Sequence, residues 1–208
     1  MSAPWYKRTI RWGQTNITEL DVNRYDIDWW RTHWKNTHVQ GIIINAGGIV
    51  AYYPSEYALH YRAQFLGDQD LFDQVISAAR EEGLTVLARM DSNRATEDFF
   101  KQHPDWFARD GWGNRLKAGD RYLACIFSEY YEDFIPKILR EIIDRYHPDG
   151  FTDNSWSGIT HDQICYCDNC KRHFHNAHGR DLPAVADWDD QAYKIWSRWN
   201  YDRRTAIW

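Results

Sequence analysis

The stretch "VQGIIINAGG", Val39 to Gly48, decides how the chain is read. It is apolar almost throughout, interrupted by Gln40 and Asn45, and it stops at a glycine pair. A strand wetted on one side alternates apolar and polar residues, whereas a near-continuous apolar run belongs to a strand covered on both faces. Downstream, a Tyr-rich loop, "IVAYYPSEYALHY", leads into "DQDLFDQVISAAREEG". There Leu71, Phe72, Val75, Ile76 and Ala79 make one helical stripe, with Gly83 as the expected C-cap. "LTVLARMD", Leu84 to Asp91, is a third strand. Upstream, "TIRWGQTNI", Thr9 to Ile17, predicts the first strand, and "DVNRYDIDWWRTHWKN", Asp21 to Asn36, predicts one helix with Asp21 at its N-cap. After a long excursion, Ser92 to Ser128, a length that in compact domains usually means function, comes the helical pattern Ser128 to Tyr146. Its buried side is Phe134, Ile135, Ile138, Leu139, Ile142 and Ile143, and Pro136 is expected to bend its first turns. "PDGFTDN" is a short fourth strand ending at Asp153.

Strands alternating with helices are the mark of βα units and an α/β fold. Four units in one direction make either a small doubly wound sheet or half of an eight-stranded (β/α)8 barrel. No G-x-G-x-x-G and no G-x-x-x-x-G-K-[ST] is present, so Rossmann or P-loop nucleotide binding has no support. The chain stops on "SRWNYDRRTAIW" in mid-helix pattern, and a full barrel needs ~250 residues. The expectation is therefore about the first four βα units of a (β/α)8 TIM barrel. Residues 1–208 would form the N-terminal part of a single catalytic barrel, with a knuckle subregion at about 122–175.

Hydrophobic residues make up 43% and charged residues 26%, which suits a folded chain. The net charge of −5, with basic residues scattered, gives no field for nucleic acid or anionic lipid. The stretch "MSAPWYKRTIRWGQTN" has no apolar run after its basic residues and no small-residue cleavage site, and no window approaches ~18 apolar residues, so the expected setting is cytoplasmic. The 12 Trp and 13 Tyr stand out, Trp being several-fold above ordinary usage. Flat rings with a polar edge suit carbohydrate, although most of these rings are expected to fill the interior.

Cys165, Cys167 and Cys170 have the spacing C-x-C-x2-C, and Cys125 lies in the excursion. Disulfides are not normal in a cytosolic chain. Four thiolates around a structural Zn²⁺ explain the set, since four protein ligands leave no open position for catalysis. A set of three cysteines with His161, His173 or His175, or simply four reduced thiols, are the other readings.

In barrels and open α/β sheets reactive side chains gather at the C-terminal ends of strands. Here those ends carry Asn16 and Glu19, then Asn45, then Arg89, Asp91 and Arg94, then Asp153 and Asn154. Asp91 and Asp153 are carboxylates that strand geometry would aim into a common bowl. Glycoside hydrolysis needs such a pair, ~5–5.5 Å apart for a retaining reaction.

"PDGFTDNSWSG…CYCDNCKRHF" resembles the N-terminal catalytic barrel of sugar-cleaving enzymes, in particular the hypothetical glycosyl hydrolase 6 group and the family 42 β-galactosidases. The family 42 likeness implies a zinc site in which Cys125 is the early ligand and Cys165, Cys167 and Cys170 form the knuckle. In that family an acid/base Glu follows the Asn, whereas here Ser155 follows Asn154, and a serine hydroxyl cannot serve as a carboxylic acid. Asp153 also matches the strand-four nucleophile of the family 29 α-L-fucosidases. Together these likenesses imply a glycosidase acting on carbohydrate, with Asp153 catalytic, and Asn154, Asp91, Arg89, Asn45 and Trp156 binding the sugar. The four cysteines would be the metal ligands. A homo-oligomer or the remainder of the barrel would complete the sheet. A non-catalytic carbohydrate-binding barrel is the alternative.

Overall fold

The structure is a computed structural model that describes residues 3–154, 159–160 and 162–207. It divides into two compact units, Met1–Ser92 with Ile138–Ser155, and Asn93–Lys137 with Trp156–Trp208.

The first unit is built on a four-stranded parallel sheet of β1 (Trp12–Thr15), β2 (Gly41–Gly48), β3 (Thr85–Asp91) and β4 (Gly150–Asp153), in that order. Ile42 pairs with Val86 and Ile44 with Ala88, and these residues are buried together with Ala46 and Met90 on one set of alternate positions. The apolar run in β2 thus reflects a strand covered on both sides. The other set of alternate positions carries Asn45 and Arg89, which are also a pair in the register. Helix α1 (Ile27–Thr37) follows β1, and α2 (Leu71–Glu81) packs across β2 and β3 with Phe72, Val75, Ile76 and Ala79 buried.

Two predicted boundaries move. Asp21 does not cap α1, because its carboxylate takes the Thr18 N–H at 2.6 Å and the Arg24 guanidinium at 2.8 Å within a separate 3₁₀ turn, Glu19–Arg24. Asp26 caps α1 instead, accepting from the Trp29 N–H at 3.0 Å. At the end of α2 the cap is Glu82, and Gly83 follows it at φ +71°.

The excursion after β3 belongs to the second unit and has a core of its own. Arg94–Ala95, Arg121–Leu123 and Lys117–Ala118 form a small antiparallel sheet. Phe99 meets Phe134 edge-on at 4.8 Å and Phe100 stacks on Tyr122 at 4.3 Å. The predicted helix from Ser128 begins as a π turn, Tyr130–Phe134, before running as α3, Ile135–Tyr146. Pro136 comes just after the π turn within one continuous helical run, so the irregularity of the first turns is the π turn beside a residue that has no N–H to donate. Helices α4 (Asp168–His178) and α5 (Gln191–Ile207) close this unit around Ile164, Phe174, Tyr193 and Trp196.

Candidate active site and metal centre

The ends of β1, β2 and β3 are joined by one polar network. Asn45, nearly buried, accepts the Ile17 N–H on its Oδ1 at 3.3 Å and donates from Nδ2 to Asp91 Oδ2 at 3.1 Å. Arg89 reaches the other carboxylate oxygen at 3.3 Å and also donates to Asn16 Oδ1. Its buried Nε has no hydrogen-bond partner among the described residues. Such orphaned donors are rare and costly, about 1–3 kcal/mol, and concentrate where a fold serves more than its own stability. At the end of β4, Asp153 is the register partner of Met90 and accepts from Ser92 Oγ at 2.5 Å, while the Asn154 N–H bonds to the Met90 carbonyl at 3.1 Å. Asp91 and Asp153 are therefore each held by donors of their own, Asn45 and Arg89 for one, Ser92 for the other. Trp156 and Ser155 lie outside the described residues.

A β-bulge sets this geometry. The register slips between Asn45 and Gly47, and Gly48, at φ +102°, lies so close to β3 that an added Cβ would stand 2.3 Å from the Asp91 carbonyl oxygen. The Gly48 N–H donates to His60 Nε2 at 3.1 Å, and the Ile49 N–H to the Asp91 oxygen at 2.7 Å. His60 is buried, and desolvation lowers its pKa to about 3, so it is a neutral acceptor. Ser92 and His60 were not among the predicted site residues. Ser92 directly follows a strand-end carboxylate, a position that could have flagged it, whereas no sequence signal marks His60.

In the second unit, Cys125, Cys165, Cys167 and Cys170 are free, buried, and gathered with their sulfur atoms within 4.8 Å of one another. Cys125 lies 3.4 Å from both Cys170 and Cys167. The small sheet delivers Cys125, whose N–H bonds to the Trp106 carbonyl at 2.8 Å. Cys167 is the N-cap of α4 and Cys170 stands in its first turn, so the helix N-terminus faces the sulfurs. Hydrogen bonds from Cys125, Cys165 and Cys170 pull the Cys167 thiol far below its usual range. The same bonding, with Cys165 for the first and Cys125 for the second, pushes Cys125 and Cys170 up. A shared anionic charge on four buried sulfurs is a donor set that can bind a metal ion. Neither described histidine candidate joins it: His173 stacks near Phe127 at 5.6 Å, and His175 faces Asp181 at 3.7 Å on the surface. His161 lies outside the described residues.

The family model described as "Hypothetical glycosyl hydrolase 6" matches residues 30–155, more than half of the chain. The chain belongs to this family. The glycosyl hydrolase 6 match spans β2 to β4 with Asn45, Arg89, Asp91, Cys125, Asp153 and Asn154, whereas the C-x-C-x2-C knuckle lies beyond it. Among curated proteins, β-galactosidase BgaP of Planococcus sp. (strain L4) is 33% identical over 49% of this chain and 15% of its own length. β-Galactosidase LacZ of Heyndrickxia coagulans is 28% identical over 51% of this chain and 16% of its own. The chain thus spans about a sixth of the curated relatives it matches. Among solved structures, α-L-fucosidase isoenzyme 2 from Paenibacillus thiaminolyticus superposes with a TM-score of 0.69 at 23% identity, over 95% of this chain and 29% of that one. A hypothetical protein from Ruminiclostridium thermocellum superposes at 0.58 with 8% identity, over 85% and 94%. The glycosyl hydrolase 6 chain is an α/β structure with a parallel sheet that covers part of a (β/α)8 barrel.

Proposed function

We propose that the chain is part of a glycosidase in which Asp153 is the nucleophile of a retaining reaction on a galactoside or fucoside. The observation that carries this reading is Asp153 at the C-terminal end of β4, held by the buried Ser92 hydroxyl, in a chain of a glycosyl hydrolase family. The short hydrogen bond from Ser92 Oγ fixes the orientation of the carboxylate at the strand end, as a nucleophile that must meet an anomeric carbon requires. Asn45, Arg89 and Asp91, one hydrogen-bonded set, would position sugar hydroxyls, joined by Asn154; Trp156, outside the described residues, is a further candidate from the sequence. The names of the β-galactosidase relatives, and the fold shared with an α-L-fucosidase, support this substrate class. With Ser155 after Asn154, the acid/base would come from elsewhere than this turn.

Asp153→Asn should lower hydrolysis of aryl galactosides and fucosides by orders of magnitude while leaving the thermal transition in place. Unchanged turnover would sink the assignment. A second reading, a carbohydrate-binding barrel without chemistry, is favoured by Ser155 alone, and hydrolysis of any aryl glycoside excludes it.

The four cysteines would hold a structural Zn²⁺, whose chemistry there is to tie the knuckle to the small sheet. Four buried free thiols suit a reducing, cytoplasmic setting, and no helix among the described residues is long and apolar enough to cross a membrane. We read residues 1–208 as belonging to one barrel. Among the described residues β1 pairs only with β2 and β4 only with β3, so a second copy or further strands would cover these edges.

A further inference from the structure

A groove of about 590 Å³ opens in the second unit where three segments meet: the turn 110–116, residues 162–166 of the knuckle, and the loop 184–186. Trp112 stands at its rim, 90% exposed. Its backbone is nonetheless firmly held. Asp110 accepts the Trp112 N–H at 2.9 Å and the Asn114 N–H at 2.8 Å on one carboxylate oxygen, and the Asn114 side-chain amide at 3.0 Å on the other. The Arg109 guanidinium bonds to the Gly113 carbonyl at 3.1 Å. A large ring left in water at the tip of a braced turn pays little ordering entropy when a ligand arrives.

The groove behind that ring has an amphipathic lining. Tyr166 contributes a partly buried ring, its hydroxyl donating to the Pro183 carbonyl at 2.5 Å and its N–H to the Arg109 carbonyl at 2.8 Å. Gly111 leaves this ring uncovered, since a Cβ there would touch it at 3.6 Å. Val185 and Ile164 add apolar surface, and Asp162 and Gln163 add carboxylate and amide groups. Aromatic faces beside acceptors and amide donors, with no lysine or arginine lining it among the described residues, match a neutral ligand with apolar faces and a hydroxyl rim.

We propose that this groove is a saccharide-binding site separate from the β4 centre, with a pyranose ring stacked on Trp112 and its hydroxyls met by Asp162 and Gln163. The choice of sugar as ligand class rests on the glycosidase reading above. The test is a titration of the uniformly ¹⁵N-labelled 208-residue chain with galactose-, fucose- and glucose-terminated neutral trisaccharides. The indole N–H signal of Trp112, assigned by its disappearance in Trp112→Ala, should shift saturably with at least one sugar. Groove affinity, read from the Gln163 side-chain amide signal, should fall roughly tenfold in Trp112→Ala and largely survive in Trp112→Phe. It should be unaffected by Asp153→Asn, which separates this site from the proposed catalytic one. A Trp112 signal unmoved by every saccharide, or moved only by an apolar peptide, would overturn the proposal even if the glycosidase reading held. Loss of hydrolysis in Asp153→Asn would speak to that reading alone.

Discussion

At Gly48 two demands coincide, a φ of +102° and a backbone approach to Asp91 that leaves no room for a side chain. Gly48→Ala should therefore cost more than the usual surface change, at least about 2 kcal/mol from strain and displacement together. Denaturant titration would measure it, and a loss under about 0.5 kcal/mol, the range of an ordinary surface substitution, would contradict the geometry. His60, the acceptor for the Gly48 N–H, makes a second prediction. Burial lowers its pKa to about 3, so between there and the unfolded value of ~6.5 the unfolded chain binds more protons than the folded one. Its stabilising contribution is complete above about pH 6.5 and drains away as pH falls through that window, by at most about 1.4 kcal/mol per pH unit. Melting curves at pH 7 and pH 5 should show this loss, and His60→Gln should make the curve flatter in acid. A variant as acid-sensitive as the parent would remove His60 as the cause.

Among the elements, α3 holds the loop after β2 through Glu141 above all, with Arg145 donating to the Pro54 carbonyl at 2.8 Å. Glu141, only 6% exposed in its side chain, accepts from Tyr53 and Ser55 hydroxyls at 2.7 Å and from the Glu56 N–H at 2.6 Å. Glu141→Ala would strand three donors, so a cost of at least about 3 kcal/mol is expected, with faster amide exchange at Glu56. Exchange unchanged at Glu56 would show that the loop is held otherwise. Periodicity puts Glu141 at the edge of the apolar stripe, three residues after Ile138 and seven after Phe134, but no pattern names its partners Tyr53, Ser55 and Glu56. By contrast β2, β3 and α2 were legible, since each carries enough apolar residues in one period to outweigh local ambiguity. The small antiparallel sheet was not, because strands of two and three residues are too short to show a period. The start of α1 was ambiguous for another reason. Asp21 and Asp26 are equally good caps on paper, and what separates them is the Thr18 N–H and Arg24 reaching Asp21 first.

For the molecule as a whole, the cysteine spacing was the most legible feature, and the structure gathers all four sulfurs. Native mass spectrometry should find one zinc per chain. Stripping it with a strong chelator should lower the melting temperature and expose four thiols to a mercurial or maleimide reagent. A metal-free chain with an unchanged transition would refute the staple. The candidate catalytic residues were legible as strand ends but not as partners, since sequence order cannot say that Asn16 meets Arg89 or that Ser92 meets Asp153. The π turn at Tyr130–Phe134 carries a consequence of a different kind. It closes with the Ile135 N–H on the Tyr130 carbonyl, a ring one residue longer than an α turn, and three of its five residues are buried aromatics. Such a turn lets a helix carry one residue more than its regular repeat without breaking. The chain's tolerance to length change here should run one way only: deleting one residue would restore an ordinary turn and cast one of Tyr130, Tyr131 or Phe134 into water. The extra residue is thus held in place by the aromatic core whose three rings the turn aims inward.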